Sequence, residues 1–325
     1  SARENGIKTV AIYSEADIDF APLLQAFPAL TLSAYLNIAC EECVLTSTAS
    51  ARRDRFLELG PLLENIPLDD NALTRLSNLW MYCSYAHYKN KHDIKKHLNV
   101  VMQKWMASKG VKIPNLPTKR IKKSRPVLLI PSERFTSSHA MYRCYAPAIQ
   151  QLRDKFKLVF MSEPSKMDDI SKQLFDEVIE VKFQAANIKQ WVGKVVKIKP
   201  DIIYYPSLGM GVWTLLLANL RLAPIQMMTL GHPATSHSPV IDYMLARKIV
   251  YSHEVHCFSE TVVLMDTASV MHIPPQKAVT ISPQIRSQPS PVRLAITSTA
   301  LKLNVSFMAT CQQIAQQSQK PVEFH

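Results

Sequence analysis

Glycine is scarce, with 7 residues in 325. That excludes collagen-like and glycine-rich low-complexity chains. Two phosphate-binding devices go with it: neither G-x-G-x-x-G nor G-x-x-x-x-G-K-S/T occurs, and both need glycine where backbone approaches phosphate. G-x-S-x-G is missing too, which removes the hydrolase nucleophile elbow. Long apolar runs are also lacking. The longest, Val212 to Leu222, is broken by Asn219 and Arg221 and falls short of the ~20 residues that span a bilayer. The start, Ser1-Ala-Arg-Glu-Asn, is polar and shows no signal-peptide core. It has no initiator Met, which reads as a processed chain or a fragment. Six cysteines are scattered through the sequence, so a reduced, cytoplasmic setting is expected. Cys40-Glu-Glu-Cys43 has zinc or redox spacing, but no second C-x-x-C accompanies it. It reads as helix packing, and no metal is expected.

What is present is apolar material. Hydrophobic residues make up 47% of the chain, enough for two or more packed cores. The formal net charge of +12 is unevenly placed: Lys89 to Arg125 holds twelve Lys/Arg against one acid, Asp93. One basic segment in an otherwise balanced chain argues for a local patch, not a nucleic-acid surface. Its simplest reading is a solvated helix face followed by a charged linker; the alternative is a patch that attracts an anionic partner or substrate. Trp105, at helical spacing with Val101 and Met102, reads as core.

Apolar spacings of three and four predict helices over 21–38, 51–63, 71–88 and 93–106. Asp69-Asp70-Asn71 marks a helix start and Gly110 a stop. Beyond Arg125 the pattern changes to short apolar runs alternating with helical stretches: Pro126–Pro131, Leu158–Met161, Val178–Phe183, Asp201–Tyr205 and Pro224–Thr229. Alternation of this kind predicts a parallel sheet flanked by helices. Residues 232–290 read as less regular. At Val292 a further strand–helix unit starts, and the chain ends inside an apolar run, Val322-Glu-Phe324. The expected fold class is α/β. A helical N-terminal domain (1–110) and a basic linker (111–125) lead to a Rossmann-like domain (126–290) and the truncated start of a second (291–325).

In open α/β sheets ligands bind beyond the carboxyl ends of the strands. The densest polar cluster there is Leu230-Gly231-His232-Pro233-Ala-Thr235-Ser-His237-Ser238. Gly231 and Pro233 restrict the backbone around His232, whose imidazole is read as facing substrate. Ser132-Glu-Arg134-Phe-Thr-Ser-Ser138-His139 follows the first strand. It reads first as an N-cap and second as a lip from which His139 reaches the same cleft. Gly209-Met-Gly211 is a tight turn or a close backbone approach. Thr297-Ser-Thr299-Ala-Leu-Lys302 leads into a helix, where hydroxyls, helix amides and one lysine could cradle phosphate, or simply cap the helix.

The stretch Ala223-Pro-Ile-Gln-Met-Met-Thr-Leu-Gly231-His-Pro-Ala-Thr235, followed by Ile241-Asp-Tyr243, resembles the soluble bacterial N-glycosyltransferases that glucosylate asparagine in adhesins, relatives of O-GlcNAc transferase. Tyr204–Met210, Cys257–Glu260, Leu301–Asn304 and Pro321–His325 fit the same family. The resemblance implies a GT-B arrangement of two Rossmann-like halves after a helical domain. It implies inverting, metal-free transfer of glucose from UDP-glucose to asparagine in Asn-x-Ser/Thr sequons. It places Thr299 and Lys302 at the donor pyrophosphate, with Gly231 and His232 lining the donor cleft and His139 and Arg134 on the acceptor side. His232, His139 and Lys302 become the catalytic candidates. Arg134 stands where the family pattern has histidine. Members also carry a longer helical N-terminus and most of a second Rossmann-like half, so this chain reads as an internal piece, inactive alone. The alternative is a non-catalytic remnant or peptide-binding module that keeps the acceptor-side half. Partners are then the acceptor protein and UDP-hexose, with no nucleic acid and no membrane span.

Overall fold

A computed structural model describes residues 18–40, 44–112, 124–251, 253–266, 272–275, 278, 282, 284–287 and 289–325. Most of the basic linker and Glu41 to Cys43 lie outside them. Six helices come first: α1 (Phe20–Ala26), α2 (Pro28–Ala39), α3 (Ser47–Glu58), α4 (Gly60–Leu63), α5 (Asp70–Tyr82) and α6 (Ile94–Ser108). Asp19, Thr46 and Asp69 cap α1, α3 and α5 by accepting backbone amides, Asp69 from Ala72 at 2.6 Å. Pro28 breaks the helix expected over 21–38, because it biases Phe27 out of helical geometry. Gly110, at φ 69°, ends α6 as its lack of a Cβ allows. The helix-like reading of the Cys40 run is corrected at its start: α2 stops at Ala39.

Seven strands follow in one sheet: β1 (Val127–Pro131), β2 (Lys157–Ser162), β3 (Glu177–Glu180), β4 (Ile202–Tyr205), β5 (Ile225–Thr229), β6 (Tyr243–Arg247) and β7 (Thr261–Met265). Their order is β3-β2-β1-β4-β5-β6-β7 and every pair is parallel. Helices α7 (Ala140–Gln151), α8 (Asp169–Lys172), α9 (Ile188–Ile198), α10 (Val212–Leu217) and α11 (Lys248–Tyr251) connect them. Five strands were legible as apolar runs. β6 and β7 fall in the segment read as irregular, a correction: β6 follows β5 without an intervening helix, only the four-residue α11 and a 3-10 turn are described between β6 and β7, and β7 is an edge strand with Val263 and Leu264 exposed.

The sheet is covered differently on its two faces. One continuous core runs from α1–α6 through Leu129, Val159 and Ile203 of the sheet to α9 and α10. A smaller core on the other face joins Leu128, Ile130 and Phe160 to Ile149 of α7 and to Phe135. The chain closes with a parallel pair, β8 (Val292–Leu294) and β9 (Val322–Phe324), linked by α12 (Val305–Gln317). Among the described residues no helix is long and apolar enough to cross a membrane.

Candidate active site

Strand order reverses between β1 and β4, the crevice where doubly wound sheets bind ligands. The loop after β1 enters that crevice with Glu133, which is buried. Its carboxylate accepts the Gly209 amide at 2.7 Å, the Gly211 amide at 3.3 Å, and the hydroxyls of Ser207 and Thr214. The Gly209-Met-Gly211 turn therefore does present its amides to an anion, and the anion is the protein's own. Burial pushes the Glu133 carboxyl up, while the four donated hydrogen bonds pull it back. Arg134 beside it is exposed.

His139 is the N-cap of α7, a place expected for the preceding serines: its Nδ1 accepts the Met141 amide at 3.2 Å. Ser137 instead donates its amide and hydroxyl to Asp168, at 2.8 and 2.7 Å. With Nδ1 so engaged, neutral His139 carries its proton on Nε2. Burial first, then Arg134 and Arg143, lowers its tendency to charge.

The Gly-His-Pro-Ala-Thr loop after β5 is gripped from three sides. Gly231 donates its amide to Pro206 O at 3.1 Å, and a Cβ there would sit 2.4 Å from that oxygen. Only glycine lets the β5 loop lie against the β4 loop so closely. Glu260, also buried, accepts the Ser236 amide at 2.8 Å and the Thr235 hydroxyl at 2.8 Å. The third grip comes from α6: Lys95 donates to Thr235 O at 2.9 Å and Asn99 to Ser236 O at 3.0 Å.

His232 is 7% exposed. Its Nε2 lies 3.1 Å from Lys95 Nζ and 3.3 Å from Ser84 Oγ, and its ring packs 5.2 Å from that of Trp80. Burial, with Lys95 and His92 adding to it, lowers its pKa well below the ordinary imidazole range. His232 is thus held neutral at the junction of helices and sheet. Lys95 corrects the solvated reading of the basic segment: it is fully buried, with its ammonium 3.9 Å above the Trp80 ring.

Lys302 and Thr299 are both exposed and lie in the last unit. Lys302 ends a 3-10 turn, Ala300–Lys302, while α12 starts at Val305 and is capped by Asn304, which accepts the Phe307 amide at 2.9 Å. The expectation that Lys302 opens the helix is corrected: the helix starts after Asn304, whose side-chain oxygen accepts a first-turn amide, which a lysine ammonium, a donor only, cannot do. Asn304 also bridges to Val44, which ties this unit to the helical region.

Sequence reasoning missed Glu133, Glu260, Lys95 and Asn99. Their pairings span 24 to 140 positions, so no local pattern marks them. The one available signal was an acid directly following a strand or a Ser-rich loop.

An apolar pocket of about 600 Å³ lies on the other sheet face, between α7 and β4 to β6. At its edge the Cys144 thiol is 3.3 Å from His272 Nδ1. Burial pushes that thiol up, against the pull of Arg143 and Arg247, so it is not the low-pKa thiol of a nucleophile. Among the described residues no group of three His, Cys, Asp or Glu is placed to hold a metal ion.

Residues 21–106 match the sequence model of HMW1 domain 2. The whole chain is 30% identical to UDP-glucose:protein N-beta-glucosyltransferase of Actinobacillus pleuropneumoniae serotype 5b (strain L20), and equally to that of serotype 7 (strain AP76). It spans 54% of the length of each. A mutant of the Thermobaculum terrenum O-GlcNAc transferase superposes on 99% of the chain, and on 68% of its own, with a TM-score of 0.55 at 13% identity. That likeness establishes the fold, the GT-B type expected from the sequence. Along its whole length the chain is thus similar to the UDP-glucose:protein N-beta-glucosyltransferases, as its Gly231-His-Pro-Ala-Thr235 stretch led us to expect.

Proposed function

We propose that this chain is part of a cytoplasmic, inverting glucosyltransferase that moves glucose from UDP-glucose to asparagine in Asn-x-Ser/Thr sequons of adhesin-type proteins. The observation that carries the reading is the 30% identity to named glucosyltransferases over the full length of the chain. In the reaction the asparagine amide nitrogen bonds to the glucose C1 as the C1–oxygen bond to UDP breaks. The amide proton is lost, and the electron pair of the broken bond leaves on the diphosphate.

Charge therefore develops on UDP. Lys302, with Thr299 beside it, is the group we assign to that charge, as a fixed cation acting on a leaving group. His232 and Gly231 belong to the donor side, and His139 and Arg134 to the acceptor side. No metal is needed in this scheme, because a lysine supplies the positive charge.

Two measurements test it. The present chain, incubated with UDP-glucose and an Asn-x-Thr peptide, is expected to add no hexose by mass spectrometry, since it covers about half of its relatives. In the protein extended to the length of those relatives, Lys302→Ala is expected to slow transfer by ~10²–10³-fold with peptide binding intact. Lys302→Arg should rescue poorly, because a planar fork replaces a point charge. Transfer within a few-fold of wild type in Lys302→Ala would remove both the assignment and the electrostatic role.

A further inference from the structure

We infer that Lys95, contributed by the helical region, is a positioning residue that holds His232 as a neutral imidazole with its proton on Nδ1. His232 can then donate a hydrogen bond to a ligand and cannot accept a proton at Nε2.

The argument begins with donor and acceptor capacity. An ammonium carries three N–H donors and no acceptor. Lys95 Nζ lies 3.1 Å from His232 Nε2, so that nitrogen must present its lone pair. The other directions of the ammonium are taken up by Thr235 O at 2.9 Å and by the Trp80 ring face at 3.9 Å. Ser84 alone would leave the tautomer open, since a hydroxyl both donates and accepts at its 3.3 Å separation. Lys95 removes that freedom.

The charged and titratable surroundings point the same way. Cys83 and Glu260 favour the charge on Lys95 while Lys91 works against it, and Lys95 with His92 opposes a charge on His232. Burial lowers the Lys95 ammonium to about 8. The ammonium therefore persists at neutral pH, and above pH 8 a neutral amine could accept from Nε2–H and free the tautomer.

The consequence for transfer rests on the function proposed above. With His139 Nδ1 engaged by a backbone amide and His232 Nε2 by Lys95, both histidines meet a ligand as donors. Neither is then the base that takes the amide proton.

The test is spectroscopic and needs no turnover. In the ¹⁵N-histidine-labelled chain, long-range ¹⁵N–¹H correlations identify each ring nitrogen, and loss of signals in His232→Asn assigns them. At pH 7 we expect a protonated, pyrrole-type Nδ1 and an unprotonated, pyridine-type Nε2 for His232, unchanged down to pH 5.5. Lys95→Met should move both signals toward the other tautomer or a mixture, and Ser84→Ala should not. A protonated Nε2 in the wild-type chain would overturn the inference. So would titration near pH 6.5, unchanged signals in folded Lys95→Met, or a switch caused by Ser84→Ala. The wild-type spectrum decides even if Lys95→Met does not fold. A failure of glucosyl transfer would bear on the proposed function and leave this result standing.

Discussion

The Glu133 carboxylate accepts the Gly209 amide at 2.7 Å, so the loop after β1 holds the turn after β4. Two loops separated by 76 positions thereby become one surface at the switch point of the sheet. Glu133→Gln keeps the shape but places an NH2 against at least one donor, and is expected to cost ~2–4 kcal/mol. Glu133→Ala leaves every donor buried and should cost more. Urea unfolding of the two variants checks the order. A loss below ~1 kcal/mol in Glu133→Ala would mean the loop is held by other contacts.

Gly231→Ala tests the close approach of the two loops. Its Cβ would meet Pro206 O at 2.4 Å, Ser207 Cβ at 2.5 Å and Ser207 Cα at 2.7 Å. Two of those three are backbone atoms, which cannot rotate away. Overpacking of this kind costs ~1–3 kcal/mol, so the thermal midpoint should fall by several degrees. An unchanged midpoint would show that the β5 loop shifts freely. Gly193→Ala is the control, since a Cβ there meets nothing within 4 Å.

Acid should destabilise the junction. Burial, then Lys95, Lys91 and His237, lower His92 to about 3, and His232 is likewise held well below its usual range. In the unfolded chain both titrate near 6.5. Above that pH neither state binds the protons, and the junction keeps its full stability. As pH falls below 6.5 the unfolded state gains protons that the folded state refuses, at ~1.4 kcal/mol per group per pH unit. For His92 the loss is complete only near pH 3. Urea midpoints followed from pH 7.5 to 5 should therefore fall below 6.5, and less steeply in His92→Gln. Equal slopes in the two proteins would refute the assignment to His92.

The parts of the fold written in local sequence were the readable ones. Asp69 caps α5 from next door, and the apolar runs of β1 and β2 are buried on both faces, which shows as unbroken hydrophobicity. β6 and β7 escaped because no helix longer than four residues is described between β5 and β7, so the strand–helix alternation that marks the earlier strands is missing there. The same division holds for the site. Gly231 and His232 were visible from their place after a strand. Lys95 was read as surface because lysine usually is, and its burial is made tolerable by groups outside its local sequence, the Trp80 face, Thr235 O, His232 and Glu260 among them. Lys302 was found, but the helix after it begins only at Val305, since Asn304 is its cap.

The continuous core between helices α1–α6 and the sheet also bears on inheritance. Trp80 touches the Gly209 turn, Lys95 and His232: a Cβ on Gly209 would lie 2.6 Å from its ring. Asn99 accepts from Asn219 at 3.1 Å while it donates to the β5 loop. The helical region is therefore not a cassette that two relatives could exchange. A chimera that took its helices from one parent and its sheet from another would have to carry Trp80, Lys95 and Asn99 together with the loops they hold. Drift in either part is constrained by the other.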